Sequence, residues 1–208
     1  MYRVKKKIWI CIIILFVTYA CKNRDSYNDK INNSVITKST RKFNINKYNS
    51  LDIDKSFSSG DTVISMSETN QFYFEKRSLS KSNFKHILRY SKKDLQLFSE
   101  GEWLFQIPVG THRTYDTIGK IVDEINFDKD YPFTFEQLIV KFKKDFKINL
   151  LTSTRYIRAE RFLGNQINNN RPAYRIIIRN EAGSEEREIN FDGINGEILK
   201  DRSYQMTD

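Results

Sequence analysis

Chemistry in this 208-residue chain could start from two thiols, two imidazoles and its carboxylates. Cys11 and Cys21 are the only cysteines, and Cys11 lies within the apolar run IWICIIILFV at positions 8–17. Removal of that run would leave Cys21 alone, which excludes an internal disulfide and a multi-cysteine metal site. A nucleophile, a modification site and a chance cysteine remain open. General acid–base work needs a group that titrates near neutral pH, and only His86 and His112 qualify by type. His86 falls in the strand-like NFKHILRY, where a buried structural role is the plainer reading. His112 has Arg113 and Asp116 beside it, a spacing that could make a site or a solvated turn. Asp192, Asn195 and Glu197 lack EF-hand spacing and read as turn residues. No H-E-x-x-H, G-x-S-x-G, P-loop or dinucleotide fingerprint occurs. The expectation is a non-enzymatic chain with no metal and no cofactor.

These groups are preceded by a leader of three zones. Arg3, Lys5, Lys6 and Lys7 form a basic start, the ten apolar residues follow, and Thr18-Tyr19-Ala20 make a less apolar exit. That is the pattern of a secretory signal peptide over 1–20. A spanning helix needs roughly 20 apolar residues, about twice what is present.

Cys21 directly after Ala20, with a polar stretch behind it, resembles the lipobox of bacterial lipoproteins. The resemblance implies export through the Sec pathway, diacylglycerol on the Cys21 thiol, cleavage before it, and acylation of the new N-terminus. Two or more acyl chains give a stable membrane anchor where one gives a marginal one. The expected place is therefore the cell envelope, in the inner or the outer membrane. Residues 21–48, rich in Asn, Ser and Lys and without periodicity, read as a flexible basic tether.

The charge supports this division. Of 35 basic and 26 acidic residues, the leader holds four and none, and 22–48 hold seven and two, which leaves 24 of each in 49–208. The neutral body lacks the basic footprint of a nucleic-acid-binding domain. A membrane and a protein partner fit better than a nucleic acid.

Period-two alternation broken by Gly, Asn and Asp predicts a β-rich meander over 49–130, with strands at 62–66, 71–77, 84–90, 95–98, 102–107, 112–115 and 120–127. Residues 131–208 read differently. Thr134 followed by Gln137 is a capping box, and Phe133 can staple to Leu138. Phe135, Leu138, Ile139, Phe142 and Phe146 then share one helical face, with Lys141, Lys143, Lys144 and Lys147 largely off it. Strand-like stretches follow at 155–163, 173–179 and 187–191, with a closing stretch at 197–204. The fold class expected is α+β: an antiparallel meander, then a helix and three antiparallel strands. The two regions could form one domain.

The closing stretch INFDGINGEIL (189–199), the preceding YRIII (174–178) and the helix at 134–150 are similar in order and spacing to PepSY-type domains. That resemblance covers about 131–205. It implies a small envelope module without catalytic residues, of a kind thought to restrain proteases. GTHRTYDTIGKI (110–121) resembles one unit of the MORN-variant hairpins of antitoxin-like proteins. The Lys/Asn/Ile-rich composition is similar to that of lipoproteins from AT-rich Bacteroidota. Together these readings point to a lipid-anchored protein that binds another protein, most concretely an immunity protein that caps a toxin. The alternative is a PepSY-like regulator of a protease or envelope complex. Tyr73, Trp103, His112 and Tyr115 are the candidate partner-binding side chains, and Cys21 is the candidate lipidation site.

Overall fold

The computed structural model describes residues 42–163 and 171–206. Cys21, the leader and the tether up to residue 41 lie outside the described residues. The ordered body begins earlier than the composition suggests. Lys42 forms an isolated bridge with Gln96, and Phe43, only 3 % exposed, donates its N–H to the Leu95 carbonyl at 2.8 Å. A short helix, α1 (Ile45–Ser50), follows, capped by Asn44, whose Oδ1 accepts the Lys47 N–H at 2.9 Å. The expected tether ran to residue 48. Its last seven residues instead belong to the body, because one aromatic ring finds a core to fill.

Seven antiparallel strands come next, each paired with its neighbour in sequence: β1 (Ser56–Ser59), β2 (Thr62–Glu68), β3 (Phe72–Leu79), β4 (Phe84–Ser91), β5 (Leu97–Leu104), β6 (Ile107–Tyr115) and β7 (Ile121–Asn126). The meander is as expected, but its partition differs. β1 was not expected, and the two stretches read at 95–98 and 102–107 are one strand, β5, running into the turn before β6. Leu95 and Phe105 take φ of 61° and 54° at the reversals, where no glycine marks the place. Gly101, which looks like a breaker, instead sits inside β5.

The second region holds α2 (Phe135–Phe146) and a separate antiparallel sheet of β8 (Ile157–Phe162), β9 (Ala173–Arg179), β10 (Glu185–Asp192) and β11 (Ile198–Gln205), in the order β11-β10-β9-β8. The capping box forms as read: Gln137 N–H donates to Thr134 Oγ1 at 3.4 Å, and Thr134 N–H donates to Gln137 Oε1 at 2.8 Å. Phe142 and Phe146 lie against Phe191 of β10, at centroid distances of 5.9 and 6.2 Å. Four strands follow the helix, not three. The stretch at 197–204 pairs along almost the whole of β10, so it is a full member of the sheet. The described residues are thus mostly antiparallel β, eleven strands in two sheets with few helices.

Side chains link the meander to the second region, Asn83 and Arg161 among them. Asn83, before β4, donates through Nδ2 to the carbonyls of Leu150 (2.9 Å) and Ser153 (3.0 Å). Arg161 of β8 donates to the carbonyls of Pro108 (3.0 Å) and Phe127 (3.2 Å) and pairs with Asp128 at 2.7 Å. Its guanidinium also lies over Tyr131 and Tyr174, 4.5 and 5.2 Å from their centroids. No helix among the described residues is long and apolar enough to cross a membrane.

Candidate functional site at the β6–β7 rim

Three of the residues singled out in the sequence converge on the last strands of the meander. His112 lies on β6 with its ring between Trp103 of β5 (4.4 Å between centroids) and Phe127 (4.6 Å). Gly101 makes room for it, since a Cβ there would overlap the imidazole. The backbone N–H and C=O of Glu102 both face Nε2, at 3.1 and 2.9 Å. Burial disfavours the imidazolium and pushes the His112 pKa down. His112 is thus a half-buried wedge.

Tyr115 lies on the other side of β6. Its hydroxyl donates to Glu100 Oε1, and its ring packs against the core cluster of Phe43, Met66, Leu88, Tyr90 and Leu97. Tyr73 sits in the same cluster, stacked on Phe43 at 4.4 Å and 5° with Lys92 over its ring. Tyr73 and Tyr115 are therefore packed from the inner face, while Trp103 and His112 brace the outer one. The supposed anchors support the rim more than they project from it.

Asp116 has a local task. Its Oδ1 accepts the N–H groups of Ile118 (3.0 Å) and Lys120 (2.8 Å), which shapes the turn into β7. With Asp116 so engaged and His112 wedged between two aromatic rings, the two do not form an acid–base pair.

A second ionisable group lies on the inner face, and strand register puts it together. Arg77, His86 and Glu102 are cross-strand partners, as are Leu88, Glu100 and Arg113 one step along. His86 Nε2 is 3.5 Å from Glu100 Oε2. The His86 contact, with the Tyr115 hydroxyl, holds the Glu100 carboxyl below its ordinary range. Glu102 has no side-chain hydrogen bond among the described residues, and burial raises its pKa. Two carboxyls pushed in opposite directions can divide acid and base roles. Neither Glu100 nor Glu102 lines the cleft at Lys42–Arg77 or the one at Asn70–Thr117.

What these supports hold up is β7, the residues that sequence reasoning did not single out. All six residues of β7 are exposed. Among the described residues the strand pairs with β6 on one side only and is an edge of the sheet. Ile121, Val122 and Ile125 are 46, 59 and 47 % exposed, and Ile118 in the preceding turn is 80 % exposed. Asp123 and Glu124 lie between them, with Glu124 paired to Arg113 at 2.8 Å. An unpaired backbone edge with apolar side chains on both faces can accept an added strand. The β-branched residues of KIVDEINF mark a strand. Only the pairing order shows that it is an edge.

Compared with protein families, curated proteins and solved structures, the chain has no match in any of the three.

Proposed function

We propose that this chain is a lipid-anchored, non-enzymatic envelope protein that binds another protein, with β7 as the docking strand. The single observation that carries the reading is an edge strand exposed along its whole length, with three large aliphatic side chains at its surface. Such an edge invites pairing with other chains, and natural proteins usually blunt it. The partner supplies an extended segment that continues the sheet beyond β7. In the most concrete version the partner is a toxin reaching the envelope and this chain is its immunity protein. The lipobox resemblance at Cys21 supplies the address, and the acyl chains are the membrane partner.

Val122→Lys and Ile125→Lys, which charge opposite faces of β7, test the docking. Loss of partner co-purification with an unchanged melting midpoint is the expected result, and undiminished capture by both variants rejects it. Cells deleted for the gene should become sensitive to an adjacent toxin; equal resistance removes the immunity version. Acyl labelling should vanish in Cys21→Ser.

A second reading rests on 131–206. An α2 helix on a four-stranded antiparallel sheet, with a turn in which Asp192 Oδ1 accepts the Ile194 N–H at 2.7 Å, supports a PepSY-like α+β module. On that reading the chain restrains a protease or an envelope complex. A peptidase or sensor gene next door favours it, whereas a toxin gene favours immunity.

A further inference from the structure

Between α1 and the β1–β3 part of the sheet lies an open cleft of about 690 Å³, within the roughly 300–1,000 Å³ usual for small-molecule sites. Phe57, Ile64 and Met66 give it an apolar wall, and Glu75 and Arg77 lie at its floor. Arg77 is only 8 % exposed. Its Nε donates to Glu75 Oε1 at 2.5 Å, which fixes the plane of the guanidinium. Among the described residues its two terminal nitrogens have no hydrogen-bond partner, and neither is sealed from solvent. A buried guanidinium with its outer edge unmet is costly, and a carboxylate satisfies that edge with two parallel bonds.

Charge and shape narrow the ligand. Lys42 and Lys47 also line the cleft, and the Lys47 ammonium stands 4.7 Å over the Phe57 ring. Three cations against one carboxylate favour an anion. Glu75 beside the guanidinium disfavours a doubly charged head such as a phosphate monoester. The Phe57, Ile64 and Met66 wall favours an aliphatic tail.

We propose that this cleft binds a medium-chain aliphatic carboxylate, with its head on the outer edge of Arg77 and its chain along Phe57, Ile64 and Met66. The site is independent of docking at β7, and either can fail without the other.

The test uses the full chain in phosphatidylcholine nanodiscs and an octanoate bearing a diazirine, with cross-linked peptides mapped by mass spectrometry. Labels should fall on 42–47, 57 and 64–66 and be displaced by free octanoate about tenfold better than by octanol, the order expected for one charge-assisted contact. Arg77→Gln should cut labelling by about tenfold. Lys47→Gln, on the half-exposed helix, should cut it about threefold and keeps the test open if the Arg77 variant does not fold. Equal displacement by octanol, better displacement by octyl phosphate, labelling elsewhere, or full labelling of Lys47→Gln would each overturn the proposal.

Discussion

The ring of His112 occupies the space that a side chain at position 101 would need, so β5 and β6 meet through a glycine and an imidazole. This pairing explains a glycine in mid-strand, where it would otherwise weaken the sheet. Gly101→Ala must push the His112 ring against Trp103 or bend β5. We expect a loss of about 1–3 kcal/mol, the usual cost of overpacking, read as a lower urea midpoint with unchanged slope. A midpoint equal to wild type would mean that the ring moves freely.

His112 also sets a pH response. Burial holds its folded pKa below the unfolded value, which is about 6.5. The unfolded chain therefore binds the proton more readily, and stability is full above that value and lost as pH falls through it. The melting midpoint should drop between pH 7.5 and 5.5, and the drop should shrink in His112→Phe, which keeps the aromatic stack. The His112 ring protons should titrate below 6.5 by NMR.

Glu102 works in the opposite sense. Burial raises its folded pKa above the unfolded value near 4.5, so its ionisation opposes folding as pH rises. Glu102→Gln should stabilise the protein at pH 8 by on the order of 1 kcal/mol, the low end of the cost of an unpaired buried group. At pH 4, where the unfolded carboxyl is already mostly protonated, the gain should disappear. A gain of equal size at both pH values would assign it to packing.

Phe43 tests where the body begins. It is buried and stacked on Tyr73, with Tyr48 and Tyr90 at 5.7 and 5.4 Å. Phe43→Ala should cost about 3–5 kcal/mol, as for other fully buried aromatics. A change below about 0.5 kcal/mol, normal for a surface position, would return 42–48 to the tether.

These cases show which parts of the molecule were legible in the sequence. α2 was, because Thr134, Gln137 and the spacing of Leu138, Ile139 and Phe142 are local signals that agree. The meander was legible as a kind of structure but not in its boundaries. Left-handed Leu95 and Phe105 turn the chain without the residues that usually announce a turn. Phe43 lies in a stretch rich in Asn and Lys, and most of its buried partners are supplied by distant strands. β1, with the sequence SFSS, carries almost no strand signal and is defined by its pairing with β2. The rim followed the same rule. Tyr115 and His112 stood out by residue type, whereas the exposure of Ile121, Val122 and Ile125 arises from strand order, which no local window contains.

Strand order has one more consequence. From β2 onward, each strand of the meander is hydrogen-bonded to the strand that precedes it in sequence. Sheets built from near neighbours in sequence close short loops and fold faster than sheets that must gather distant segments. A chain emerging end-first through a narrow exit could therefore zip this sheet hairpin by hairpin, without waiting for its C-terminus. β7 would be the last strand of the meander to be laid down. Its open edge would be offered to a partner only after the six strands beneath it had formed.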